Sequence, residues 1–89
     1  MAEYCVARTE FCALKPTNIT FAEAASAPLA GLTALQCLRN AGVTEGSRVL
    51  ITGGAGGVGS LAIQIAKRVL KAGTVVTTAS AGEKADLCR

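Results

Sequence analysis

The chain has 89 residues, a formal charge of +3, 51% hydrophobic residues, 17% charged and 3% aromatic. That length holds one small compact unit rather than several, and the low charged fraction argues against disorder. With Tyr4, Phe11 and Phe21 as its aromatic residues and so small a net charge, the chain offers little to a nucleic acid, so no nucleic-acid partner is expected.

Residues 1–10 contain Glu3, Arg8 and Glu10 where a signal peptide needs an apolar stretch, and no later run approaches the roughly 18 apolar residues of a membrane span. The expectation is a cytoplasmic protein with no membrane partner. Cys5, Cys12, Cys37 and Cys88 form no Cys-x-x-Cys pair, and the sequence has no histidine, so the four thiols are read as reduced and no metal ligand set is assigned. Residues 4–8 and 11–14 are apolar-rich runs, the second ended by Lys15-Pro16, and both are predicted as short strands. Thr20-Phe21-Ala22-Glu23 then fits a capping box that opens a short helix. Pro28 suits the first position of a second helix, on which Leu29, Leu32, Leu35 and Leu38 recur every three residues and which Gly42 ends.

Residues 48–52 form a β-branched run without alternation, the pattern of a strand buried on both faces of a parallel sheet. A glycine-rich stretch follows. Beyond it, Val58, Leu61, Ala62, Ile65, Ala66, Val69 and Leu70 keep helical spacing, with Lys67, Arg68 and Lys71 toward the end and Gly73 as the predicted stop. Residues 74–79 predict a second strand, and Ser80-Ala81-Gly82-Glu83 a second capping box opening a last helix. Strand, loop, helix and strand together make a parallel crossover.

Gly54-Ala55-Gly56-Gly57-Val58-Gly59 satisfies G-x-G-x-x-G between a predicted strand and a predicted helix, the context in which such a loop binds a dinucleotide. One glycine permits the sharp turn, another lets the backbone approach a pyrophosphate, and the last allows close packing of helix on strand. Free amides at the helix start then face the phosphates. A nucleoside-triphosphate loop needs a lysine after the last glycine, where Ser60 stands. The glycines alone fit both short-chain and medium-chain dehydrogenases, but short-chain enzymes usually begin with this strand, whereas more than forty residues precede it here.

Those preceding residues carry a resemblance. Residues 2–4, Lys15-Pro16, residues 21–25, the block Pro28-Leu29-Ala30-Gly31-Leu32-Thr33-Ala34, residues 46–53, the glycine loop and residues 62–67 resemble the medium-chain dehydrogenase/reductase superfamily, in its zinc-free quinone oxidoreductase and alkenal/enone reductase branch. The resemblance implies an α/β fold: a partial Rossmann-type parallel sheet, its first strand-loop-helix-strand unit preceded by a helical leader from the end of a GroES-like catalytic domain. Residues 1–19 would end the catalytic domain and residues 20–89 would be the first half of the NADP-binding domain, the family's enzymes being several times longer. It implies hydride transfer from NADPH to a quinone, enone or alkenal, in a whole protein that forms homo-oligomers. No catalytic residue is assigned to this chain.

The candidate cofactor-binding residues are Thr33, Gly54, Ala55, Gly56, Gly57, Val58, Gly59, Ser80 and Lys84. The resemblance places the loop on the pyrophosphate and Thr33 near the nicotinamide, although a helix threonine also bonds readily to its own backbone. NAD-selective folds end the second strand with an acid that bonds the ribose hydroxyls, whereas this strand ends Thr78-Ala79-Ser80, so NADP(H) is the expected cofactor. A 2′-phosphate would take the Ser80 hydroxyl, the amides at the following helix start and the Lys84 ammonium. Two other readings stand beside this one: an acyl-chain enoyl reductase module, and a non-enzymatic nucleotide-binding or structural member of the family. With two sheet strands against the three or more of a complete half-unit, the 89 residues alone are expected to have no turnover.

Overall fold

The computed structural model describes residues 2–89. Its first segment contains one turn of 3-10 helix, Thr9–Phe11, and no strand. The strands expected at residues 4–8 and 11–14 therefore do not form. Val6 and Leu14 are fully exposed, and an extended segment with neither a ladder partner nor a face to bury gains nothing to offset its ordering entropy. At the end of the segment the Lys15 ammonium donates to the carbonyls of Pro16 and Ile19 and lies 5.2 Å from the centre of the Phe21 ring.

Helix α1, Phe21–Ser26, opens on the expected capping box. Thr20 Oγ1 accepts from the Glu23 amide at 3.2 Å, and Glu23 Oε2 accepts from the Thr20 amide at 2.8 Å. Helix α2, Pro28–Asn40, has Pro28 in its first turn, where a missing N–H costs no hydrogen bond. Gly42, at φ +70°, turns the chain out of it, and the Val43 amide closes back on the Leu38 carbonyl at 3.0 Å.

Strand β1, Arg48–Ile51, and strand β2, Thr74–Thr77, pair in parallel with Arg48 opposite Thr74 and Ile51 opposite Thr77. Between them run the glycine loop and helix α3, Gly57–Gln64, which continues as a π-helical turn, Ile65–Val69. The core is built mainly of small residues: Ala34 and Leu38 from α2 meet Ala62, Ala66 and Ala72, with Val49, Ile51 and Val75 of the sheet against them. Small side chains let the two helices approach closely while still filling the space between them.

One face of the sheet is covered, not two. Val49, Ile51 and Val75 point into the core, whereas Leu50 and Val76 are 66% and 54% exposed on the opposite face. The unbroken apolar run of β1 predicts burial on both sides. Both helices packed near it lie on the same side, so its alternate residues remain open.

The helix after the loop also ends earlier than Gly73. Lys71 takes the left-handed conformation, φ +57°, while the Leu70 amide bonds the Ile65 carbonyl and the Ala72 amide the Ala66 carbonyl. Gly73 has a different role: a Cβ there would lie 2.8 Å from the Gly46 carbonyl oxygen. Helix α4, Glu83–Leu87, starts from Gly82 at φ +81° with no side-chain cap, so the expected Ser80–Glu83 capping box is absent. The turn at Gly82 leaves Ser80 two residues ahead of the cap position. Among the described residues, no helix is long and apolar enough to cross a membrane.

Candidate functional site

The loop leaves β1 through Gly53, whose φ of +69° a residue with a Cβ adopts only at a cost. Gly54 and Gly59 are glycines for want of space. A Cβ at Gly54 would lie 2.1 Å from Thr77 Oγ1, and one at Gly59 would lie 2.1 Å from the Gly53 carbonyl oxygen. These are the first and last glycines of G-x-G-x-x-G, doing what the motif asks: a tight departure from the strand and a close return of the helix. Gly57 is different, because a Cβ there meets nothing within 4 Å.

Backbone hydrogen bonds decide which amides can receive a ligand. The Gly54 amide donates to the Thr78 carbonyl at 2.9 Å, the Gly56 amide to the Gly53 carbonyl at 3.0 Å, and the Ser60 amide to the Gly56 carbonyl at 2.9 Å. Among the described residues, Ala55, Gly57, Val58 and Gly59 have no backbone acceptor for their N–H groups. Gly59 is buried, whereas Gly57 and Val58, in the first turn of α3, are exposed. Exposed, unpartnered amides at the positive end of a helix are suited to an anion.

Beside the loop lies a cleft of about 230 Å³ lined by Gly53, Ala55, Gly56, Ala79, Ser80 and Lys84. Sequence positions 55–56 and 79–84 meet there because β1 and β2 pair in parallel and end at the same edge. No carboxylate lines the cleft. The ion pairs among the described residues join Arg8 to Glu10 and Asp86 to Arg89, so the Lys84 ammonium is unpaired. Glu83 stands in the first turn of α4 without bonding Ser80.

Thr33 is not brought to this cleft. It lies exposed on α2, and its Oγ1 donates to the Leu29 carbonyl one turn back at 2.8 Å. Two side chains that the glycine pattern does not name do touch the loop. Thr78 Oγ1 accepts from the Gly53 amide at 3.0 Å, and Thr77 Oγ1 donates to the Ile51 carbonyl at 2.7 Å. Parallel pairing in register would have found them, since it sets the tip of β2 beside the first loop residues. The four cysteines are free thiols, and Cys37 stands exposed on α2 away from the cleft.

No family model matches the chain. Curated proteins do. The 2-methylene-furan-3-one reductase of Solanum lycopersicum is 51% identical over 83 residues, covering 93% of this chain and 21% of that protein. The chloroplastic NADPH-dependent alkenal/one oxidoreductase of Arabidopsis thaliana is 48% identical over 89 residues, covering 100% of this chain and 23% of its own length. A zinc-type alcohol dehydrogenase-like protein of Staphylococcus aureus is 44% identical over 98% of this chain, which covers 28% of it. Among solved structures, the CurK enoyl reductase superposes with a TM-score of 0.79 at 40% identity, over 91% of this chain and 24% of that one. The quinone oxidoreductase of Coxiella burnetii superposes with a TM-score of 0.71 at 55% identity, over 82% of this chain and 22% of its own. The chain thus spans 21% to 28% of the length of these curated relatives.

Proposed function

The homologues of this chain are medium-chain dehydrogenase/reductases, the superfamily its own motifs assign it to, and from that premise we propose that it is the dinucleotide-binding portion of an NADPH-dependent oxidoreductase. Residues 1–19 end its GroES-like catalytic domain and residues 20–89 open its nucleotide domain. The observation that carries the reading is the cleft, in which Ala55 and Gly56 of the loop meet Ser80 and Lys84 with no carboxylate between them.

The residues present fit the cofactor in three respects. Amides at Ala55, Gly57 and Val58 lack partners, Gly57 leaves the space a Cβ would fill, and Lys84 has no competing acid. The loop amides bind the pyrophosphate, while Gly54 and Gly59 hold the turn tight enough to present them. Ser80 donates to a ribose 2′-phosphate and Lys84 neutralises it; a diol without that phosphate leaves the ammonium unanswered. The resemblance assigns Thr33 to the nicotinamide side, where its hydroxyl, already donating to the Leu29 carbonyl, would serve as an acceptor. Bound NADPH supplies a hydride to an electron-poor acceptor, a quinone or the β-carbon of an enone or alkenal. No residue of this chain is assigned the accompanying proton.

Zinc-independence, a homo-oligomeric whole protein in the cytoplasm, and small-molecule acceptors as its only class of partner belong to the same proposal. The similarity to the reductases of tomato and Arabidopsis supports the acceptor class. A second reading, an enoyl reductase acting on carrier-bound acyl chains, is favoured by the superposition on the CurK enoyl reductase. The two readings share the cofactor cleft and differ in the acceptor.

Binding of NADPH and NADH to the complete polypeptide that carries this segment tests the cofactor reading. NADPH is expected to bind the more tightly, and Lys84→Ala to lower its affinity about tenfold, the worth of one charge-assisted hydrogen bond, while NADH is unaffected. A preference for NADH, or a Lys84→Ala protein with unchanged NADPH affinity, overturns it.

A further inference from the structure

Four hydrogen bonds fasten the last residue of β1 and the first glycines of the loop to Thr77, which ends β2, and to Thr78 after it. The Thr78 amide donates to the Ile51 carbonyl at 3.2 Å, and Thr77 Oγ1 donates to the same carbonyl at 2.7 Å. The Gly54 amide donates to the Thr78 carbonyl at 2.9 Å, and the Gly53 amide to Thr78 Oγ1 at 3.0 Å. Two of the four thus depend on a threonine hydroxyl. We propose that Thr77 and Thr78 are positioning residues for dinucleotide binding, clamping Gly53 and Gly54 so that the unpaired amides farther along the loop face the pyrophosphate. The inference rests on the NADPH reading above.

Each threonine acts differently. Thr78 occupies the N–H of Gly53, the residue that turns left-handed, and so holds the loop's departure angle. Without that acceptor Gly53 N–H turns to water, and the departure angle is held by the remaining backbone bonds and by Thr77. Thr77 acts through its oxygen and its bulk. Its Oγ1 fills the space beside the Gly54 Cα where a Cβ would stand, and its methyl lies 2.9 Å from the same position, so the loop is pressed against β2 from the side. Neither side chain lines the cleft, so neither is a ligand; both act through the backbone they hold.

Valine has nearly the shape of threonine without the hydroxyl, and serine keeps the hydroxyl without the methyl. Affinity for NADPH and for 2′-AMP, which carries the 2′-phosphate but no pyrophosphate, is to be measured on the complete polypeptide, unmodified and as Thr78→Val and Thr78→Ser, with each protein's melting temperature recorded. Thr78→Val is expected to weaken NADPH about five- to tenfold, in the range of one lost hydrogen bond. The same change leaves 2′-AMP within twofold, and Thr78→Ser restores NADPH binding to within twofold. Equal binding of NADPH by the unmodified and Thr78→Val proteins overturns the inference and leaves the cofactor reading standing. Parallel loss of both ligands overturns it too, by showing a general effect on the fold. If the unmodified protein binds no dinucleotide, the cofactor reading fails and this inference with it.

Discussion

Gly57 and Gly59 are two residues apart and glycine for different reasons. A Cβ at Gly59 would press on the backbone of Gly53 and Gly54, at 2.1 Å from an oxygen and 2.9 Å from two carbons, and backbone cannot swing aside as a side chain can. Gly59→Ala is expected to cost about 1–3 kcal/mol, the usual range for overpacking, read from chemical denaturation. Gly57→Ala meets open space in the first turn of a helix, so the fold is expected to tolerate it with no loss of stability, yet NADPH affinity should fall because the added methyl stands where the pyrophosphate approaches. Unchanged NADPH affinity in Gly57→Ala would count against the loop as the pyrophosphate site. The pattern of glycines was legible in the sequence, but the division of labour among them was not. It depends on Thr77 and on the carbonyl of Gly53, which reach the loop only through strand pairing and the return of the helix.

Helices were legible where a side chain or a proline marks the start. Thr20 and Glu23 close both halves of their box, and Pro28 begins α2, because these signals act within four residues and need no tertiary partner. The same pattern failed at Ser80, where a glycine inside the expected box took a positive φ and moved the cap by two residues. The predicted strands of residues 4–8 and 11–14 failed for another reason, since a strand exists only by pairing and no strand pairs with them among the described residues. The capping box gives α1 a pH dependence. The Glu23 carboxyl is held below its ordinary value of 4.5, first by the Thr20 backbone N–H and then by the Thr20 hydroxyl, with desolvation opposing weakly. A carboxyl lowered by folding stabilises the helix fully above its unfolded value, and that contribution is lost as pH falls through the lowered value. A carbon-13 titration of Glu23 is expected to give a midpoint below 4.5, with α1 amide shifts following it; a midpoint at or above that value would show that the box does not persist in solution.

At the scale of the molecule, two strands with helices on one side leave Leu50 and Val76 open and place the cleft lined by Ala55, Gly56, Ser80 and Lys84 beside the ends of both strands. The low charge and high apolar content of the sequence agree with such a face, although periodicity alone suggested that β1 is buried on both sides. Hydride transfer needs an acceptor held against the nicotinamide, and no residue here is assigned to that task. The 89 residues alone are therefore proposed to have no turnover, and reduction of an acceptor is proposed for the longer polypeptide.

Oxidation of NADPH by the complete polypeptide in the presence of quinones, enones and alkenals is the most direct test, with the isolated 89-residue chain measured alongside. The expected result is NADPH consumption matched by reduced acceptor in the complete protein, slower with NADH, and none in the isolated chain. A complete, folded protein that oxidises no NADPH with any of these acceptors, or an isolated chain that sustains turnover, would contradict it.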